Sequence, residues 1–313
     1  MVRDARRGRS GGEYMVSDVV PAAERPPFLT PAHTTGVVFE GGGFRGLYTE
    51  GVYDTWLEQG ISATHVVGVS AGATFGCNYK SRQIGRALRY NKRFCRDPRY
   101  MGLKSLITTG NFFSRDFAFG RLPWEFDVFD TPTYAANPMR FTGVATDVET
   151  GEAVYHGLNA GDTVDVEWMR ASSAIPGLSR PVELEGRKLL DGGMADSIPF
   201  RWMLDQGYER CVVVCTQPAG YRKEPNELMP VLRVLLRRYP ALVELLANRH
   251  ERYNAQLDEL AELERADTVF VIRPSESVKV PISIKDPAEL DRVYEVGRRD
   301  GAATLDALRA YLA

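Results

Sequence analysis

A serine with glycines two residues away on each side, Gly68-Val69-Ser70-Ala71-Gly72, has the G-x-S-x-G spacing that holds a hydroxyl out on a sharp turn between a strand and a helix. A serine hydroxyl is a poor nucleophile until a neighbouring base takes its proton. Four histidines are available, His33, His65, His156 and His250. His33 lies in a polar leader, His65 sits five residues before the serine on the strand that feeds it, and His156 falls in a polar loop without a nameable partner. The order Ser70, Asp191, His250 is that of an α/β-hydrolase triad, but His250 lies inside a long helical stretch, with a further strand still to come. That fold places its histidine on a loop after a late strand, so the location argues against the triad.

Asp191-Gly192-Gly193 follows the apolar pair Leu189-Leu190, which puts its carboxylate at a strand end, where α/β folds gather their sites. Glycines directly after it remove side chains that would block close approach. Partial burial beside an uncharged serine raises a carboxylate's pKa and makes it a better base near neutral pH. A third element, Gly41-Gly42-Gly43-Phe44-Arg45-Gly46, lies between the first strand and the first helix, where free backbone N–H groups favour negative charge. Such a loop can cradle a pyrophosphate or stabilise the oxyanion of an attacked carbonyl. A dinucleotide site needs an acidic residue at the end of the next strand; here that strand ends in Gly68-Val69-Ser70. No Gly-Lys-Ser/Thr follows, so the loop is not a P-loop either.

The elements that must position these groups are legible from periodicity. Gly36–Phe39 is a short apolar run ended by glycines, and Gly46–Gln59 spaces Leu47, Val52, Trp56 and Leu57 as a helix does. Thr64–Val69 reads as a buried strand, and the Ala- and Gly-rich segment after Ser70 as a close-packed helix. Two consecutive strand-helix units imply a parallel sheet with right-handed crossovers. Further strands are expected at Arg140–Ala145, Val182–Leu184, Lys188–Leu190, Cys211–Cys215 and Thr268–Ile272. Pro218–Glu227 reads as a loop, Leu228–Leu263 as one or two amphipathic helices interrupted at Pro240, and Asp286-Pro287-Ala288-Glu289 as the capped start of a last helix toward Leu312. The expected organisation is a flexible leader over 1–33, an α/β core over 34–217, and a mostly helical region with one further strand over 218–313, packed on the same domain.

Composition narrows the function. With 39 basic against 41 acidic side chains the formal charge is −2, which offers nucleic acid no general attraction, so no nucleic-acid partner is expected. Four cysteines (Cys77, Cys95, Cys211, Cys215) form neither a disulfide framework nor a CxxC or zinc pattern and are expected to be reduced and buried. The histidines are scattered, so neither a metal nor another cofactor is expected. The N-terminal arginines precede no apolar run of signal-peptide length, Met15 is a possible alternative start, and no segment approaches the ~20 apolar residues of a spanning helix. The expectation is a cytoplasmic protein able to touch the inner face of a membrane but not to cross it.

Taken together, Gly41–Gly46, Gly68–Gly72 and Asp191–Gly193 resemble the linked motifs of bacterial patatin-like phospholipases, in the family's order. The flanking stretches Ala145–Gly151 and Ala171–Gly177 are similar too, and the likeness covers Gly36–Thr216. The resemblance implies a three-layer α/β/α sandwich with a mainly parallel central sheet, a Ser-Asp dyad, and hydrolysis of fatty acyl esters in phospholipids or simpler lipids. By position, Ser70 matches the nucleophile, Asp191 the base, the amides of Gly42 and Gly43 the oxyanion hole, and Arg45 the family's arginine. A catalytically silent lipid-binding regulator and an acyltransferase are the alternatives on the same fold.

Two further stretches bear on how a lipid arrives. Lys80–Lys104 holds nine basic residues and one acidic one, and on a helix Arg82, Arg86, Arg89, Arg93 and Arg96 would share one face, a stripe suited to anionic lipid headgroups. The aromatic run Phe112, Phe113, Phe117, Phe119, Trp124, Phe126 and Phe129 can line an acyl-chain pocket, form a lid or fill the core.

Overall fold

The structure, a computed structural model, describes Phe28 and residues 30–313. Most of the leader expected over 1–33, with Met15 and the N-terminal arginines, lies outside the described residues. The first units are β1 (Thr35–Phe39), α1 (Gly46–Glu58) and β2 (His65–Val69). Beyond Ser70 come α2 (Ala71–Thr74), α3 (Cys77–Ser81), α4 (Arg86–Phe94), α5 (Leu103–Thr109), a π-helical segment over Arg115–Phe126, and α6 (Thr131–Ala136). Next follow β3 (Arg140–Asp147), β4 (Ala153–Gly157), α7 (Thr163–Ser172), β5 (Val182–Leu184), β6 (Arg187–Asp191), α8 (Phe200–Asp205) and β7 (Arg210–Val214). The remainder is α9 (Met229–Leu235), α10 (Pro240–Ala247), α11 (Arg249–Arg265), β8 (Phe270–Ile272), α12 (Pro287–Ala303) and α13 (Leu305–Leu312).

In one sheet hydrogen-bonded neighbours follow the path β5-β6-β3-β2-β1-β7-β8; β4 runs along the other edge of β3, and β6 meets β3 beyond the end of β2. β3, β2, β1, β7 and β8 are parallel; β4, β5 and β6 are antiparallel additions. The parallel strands are apolar at successive positions because both faces are covered. Val37 and Phe39 join one core with Leu47 and Val52 of α1, Trp168 of α7 and Leu290 of α12. Val38, Val67 and Val213 join the other with Phe200 and Met203 of α8 and Leu260 of α11. The result is the three-layer α/β/α sandwich with a mainly parallel sheet. The four cysteines are free and buried. No described helix is long and apolar enough to cross a membrane.

The chain departs from the sequence reading in several places. The helix expected after Ser70 is two short ones, α2 and α3. The stretch over Leu228–Leu263 forms three helices, with Pro240 opening α10 at its first turn, where its missing N–H costs nothing. Asp286 does cap α12, accepting from the Ala288 amide at 3.1 Å. That helix stops at Thr304, whose hydroxyl bonds back to the Asp300 carbonyl at 2.8 Å, and α13 follows. β4 was not expected, because its half-buried residues lack a clean apolar run. His156 therefore lies in a strand rather than a loop, its ring stacked on Trp168 at 3.9 Å between centroids.

The arginine stripe does not form one exposed face. α4 begins only at Arg86, because the buried Glu50 of α1 accepts from the Ala87 and Leu88 amides at 2.6 and 2.7 Å and fixes its start. Arg82 lies before it in a left-handed conformation. Arg86 is buried, donating to the Asp127 carbonyl at 2.6 Å, and Arg89 makes a two-pronged pair with the Asp127 carboxylate. Arg93 and Arg96 donate to the carbonyls of Phe126 and Lys285. Arg89, Arg93 and Arg96 stay exposed, and so does Ile84.

Candidate active site

Ser70 follows the last residue of β2 and precedes α2, with φ 54 and ψ −117, a conformation unusual for a residue with a side chain. The turn is possible because Gly68 and Gly72 bring backbone against backbone. A Cβ on Gly68 would collide with the Gly72 carbonyl, and one on Gly72 with the Phe39 carbonyl. The Ser70 amide donates to Ser172 Oγ at 2.9 Å, and Ser172 donates in turn to the Val144 carbonyl at 2.6 Å. Ser172 thus bridges the turn to β3, a role the sequence reading did not assign.

Asp191 reaches the serine through sheet register. Thr142–Val144 pair with β2 and β4 at once, and Ala145 and Thr146 with β4 and β6 at once. β2 and β6 must therefore lie on the same side of β3, running in opposite directions. Val69 is level with Val144 and Asp191 with Ala145, so the two strands meet end to end. Ser70 Oγ donates to Asp191 Oδ2 at 2.6 Å. The other carboxylate oxygen accepts from the Gly193 amide at 2.8 Å. Burial raises the Asp191 pKa above the ordinary carboxylate value; the bonds from Ser70 and Gly193 and the charge of Arg249 offset this in part.

The glycine loop lies against the same point. A Cβ on Gly41 would stand 3.0 Å from Ser70 Cβ, and Gly43 has φ +56, a left-handed conformation that glycine adopts at little cost. Among the described residues, the amides of Gly42 and Gly43 donate to no protein acceptor. The loop is held from behind by Glu40, which is buried. Its carboxylate accepts from the Thr216 amide and from the Tyr253 hydroxyl, each at 2.6 Å. Phe44 is buried in the core, and Arg45 lines the cleft with its Nε buried and without a partner.

No histidine hydrogen-bonds to Ser70 or Asp191 among the described residues. His65 is buried between the Tyr208 hydroxyl and Thr142 Oγ1, both at 2.8 Å. Burial pushes its pKa down to about 4. His33 bonds to the terminal Ala313 carbonyl at 2.8 Å, and His250 on α11 faces Glu251 at 3.9 Å. Its neighbour Arg249, which the sequence reading passed over, reaches the site instead: its Nε donates to the Gly193 carbonyl at 2.7 Å. A lone arginine on a polar helix carries no signal that would have singled it out.

Ser70 stands where two arms of one cleft join. The apolar arm is lined by Phe75, Tyr90, Phe113, Phe119, Leu122 and Phe129 among others, and the polar arm by Arg45, Lys223, Asn226 and Arg249 with Asp191. Phe44, Ile175 and Ile282 border both. The aromatic run therefore divides its labour. Phe113, Phe119 and Phe129 face the cleft, whereas Phe117 stacks on Phe126 at 5.2 Å in the packing beneath. Beside the mouth, α9 buries Leu232 and, with Leu228 just before it, exposes Val231, Val234 and Leu235, each of these four at 59% or more.

Comparison with known proteins places the chain. A profile described as patatin-like phospholipase matches residues 37–204, and a second, described only as a domain of unknown function, matches 239–313. The chain is 28% identical over 224 residues to the uncharacterized protein YjjU of Escherichia coli, covering 67% of this chain and 59% of that one. An uncharacterized NTE family protein of Mycobacterium tuberculosis is 26% identical over 212 residues, with 66% and 57% covered. The lysophospholipase NTE1 of Candida albicans is 25% identical over 284 residues, which is 84% of this chain and 19% of that much longer protein. The chain thus spans less than two thirds of the length of each of these relatives. Since the matched region takes in more than half of the sequence, including the glycine loop, Ser70 and Asp191, the chain belongs to the patatin-like phospholipase family.

Proposed function

We propose that this protein is a serine hydrolase that releases fatty acids from acyl esters of phospholipids, lysophospholipids or related lipids through a Ser70-Asp191 dyad. The observation that carries the reading is the 2.6 Å hydrogen bond from Ser70 Oγ to a buried carboxylate, at the junction of an apolar and a polar arm. Asp191 takes the serine proton as Oγ attacks the ester carbonyl. The unpartnered amides of Gly42 and Gly43 receive the charge that develops on the carbonyl oxygen. Collapse expels the lipid alcohol, which leaves with the proton from Asp191, and the acyl chain stays on Ser70 in the apolar arm. Water, deprotonated by the same carboxylate, then releases the fatty acid and restores the serine.

The family's lipid hydrolase chemistry and the lysophospholipase name of the Candida relative support the substrate class. Peripheral contact with an anionic membrane belongs to the same reading. The Arg82 to Arg96 stripe serves it poorly, since Arg86 is buried and Arg89 is paired. The exposed apolar face of α9, flanked by exposed Arg233, Arg237 and Arg238, serves it better.

The test incubates the protein with short-chain nitrophenyl esters and a mixed lysophospholipid and phospholipid set, measuring free acid and transesterified product. Ser70→Ala and Asp191→Asn should each lower acyl release about a thousandfold or more, while His250→Ala keeps most of it. Wild-type lipid binding without acyl release would favour the silent regulator, and transfer to alcohol over water the acyltransferase. Loss in the folded His250 variant would restore the triad.

A further inference from the structure

The polar arm holds three cations from three separate parts of the chain. Arg45 comes from the glycine loop after β1, Lys223 from the loop after β7, and Arg249 from the first turn of α11. Among the described residues none of the three is ion-paired to a carboxylate. The two carboxylates that share the arm are committed elsewhere. Glu40 accepts from Thr216 and Tyr253, and Asp191 from Ser70 and Gly193. Arg45 leaves its Nε unpartnered, and Arg249 spends its Nε on the Gly193 carbonyl while one terminal nitrogen lies 3.4 Å from Ser197 Oγ. Lys223 Nζ rests 4.8 Å from the centre of the Tyr253 ring and makes no hydrogen bond among the described residues.

Like charges are gathered here without a carboxylate in ion-pair contact among the described residues. The Lys223 ammonium shows the strain: burial first, then Arg249 and Arg45, pull its pKa down to about 8, against the opposing charge of Glu40. An anion seated among the three would relieve that repulsion and meet donors from several directions. A tetrahedral phosphate, with several acceptor oxygens, suits such an arrangement better than a planar carboxylate.

We infer that Lys223 and Arg249, together with Arg45, form an anion subsite that seats the phosphate of a glycerophospholipid headgroup while the acyl chain occupies the apolar arm. The inference rests on the hydrolase reading above and deepens it by naming the headgroup chemistry. It also gives the region after β7 a part in binding substrate. Lys223 and Arg249 lie outside the region matched by the phospholipase profile, and Arg249 lies inside the domain of unknown function. In a glycerophospholipid only the glycerol unit separates ester from phosphate, so both must fit one cleft, as Ser70 and the three cations do.

The experiment measures kcat and KM of the full chain on 1-lauroyl-lysophosphatidylglycerol and on 1-lauroylglycerol, presented at equal fractions in neutral detergent micelles. Lys223→Met should lower the ratio of kcat/KM for the phosphate-bearing lipid over the neutral one at least tenfold, mainly through KM, and Lys223→Arg should restore it. Arg249→Met should lower the same ratio; because Arg249 also holds Gly193, Lys223 is the deciding position. An unchanged ratio in Lys223→Met, with Ser70-dependent cleavage intact, would overturn the subsite and leave the hydrolase standing. Absence of any Ser70-dependent cleavage by the wild type would instead remove the reading on which the subsite depends. Inorganic phosphate separates two sources of the anion. If it raises KM for the lysolipid in the wild type but not in Lys223→Met, free phosphate reaches the subsite. If it has no effect while the ratio moves, the subsite takes phosphate only as a lipid headgroup.

Discussion

At the scale of single residues, the site is a contest over one carboxylate. Burial drives the Asp191 pKa upward, and a serine hydroxyl, a glycine amide and an arginine pull part of the way back. The net direction is up, so the group is a stronger base than a solvated aspartate, whose pKa is about 3.9. In the proposed mechanism only the ionised carboxylate takes the serine proton, so activity is expected to fall as pH drops through the raised value. The acid limb of kcat/KM on a soluble nitrophenyl ester is expected above the pKa of a solvated aspartate; a limb at or below it would contradict the burial argument. The sign for stability is the reverse of a salt-bridged aspartate. The folded state holds this proton more tightly than the unfolded one, so Asp191 subtracts stability as pH rises from the unfolded value past the folded one. Asp191→Asn is therefore expected to gain Tm relative to wild type between acid and neutral pH, even as it loses catalysis.

Elements decide what those residues can touch. The 3.5-residue spacing of the arginines is real, yet it predicts a face only if one helix carries them all. Glu50 starts α4 at Arg86, and Asp127 then pairs with both Arg86, which is buried, and Arg89, which stays exposed. The surface proposed to meet lipid is α9, where Val231 and Val234 are 64% and 69% exposed beside the cleft mouth. Val231→Ser with Val234→Ser should weaken co-sedimentation with phosphatidylglycerol-containing vesicles about tenfold, since each valine loses apolar area available for insertion. Cleavage of a soluble nitrophenyl ester should be unaffected. Equal vesicle binding by the double variant would take α9 out of the membrane reading.

Across the whole molecule, the C-terminal region is built into the layer that supports the site. α12 lies directly on α1, and small residues let the backbones touch: a Cβ on Gly297 would run into the Tyr48 carbonyl, and one on Gly51 into that of Tyr294. Tyr294 also donates to the buried Asp54 at 2.9 Å, and β8 extends the sheet beyond β7. Gly297→Leu must separate two helices or force strain into them, at a cost of about 3 kcal/mol. Urea denaturation measures it, and an unchanged midpoint would mean that the seam has room to spare.

What was legible in the sequence was local. Apolar runs marked seven of the eight described strands, five of them the parallel ones, because a doubly buried parallel strand has a composition of its own. Glycine spacing marked the serine turn and the loop before it, because close backbone approach admits no side chain. β4 escaped because its residues are half buried and mixed, and Arg249 because nothing in its neighbours distinguishes it from a solvated helix residue. Only the tertiary structure settled that β6 meets β2 end to end on one side of β3, bringing a carboxylate 121 positions from Ser70 to 2.6 Å. It likewise settled that cations from three distant loops and helices face one pocket, while a conspicuous run of arginines is broken by the burial of Arg86. Periodicity records which face of an element is buried; which groups from remote elements share that burial depends on register and crossing, and those are properties of the assembled sheet.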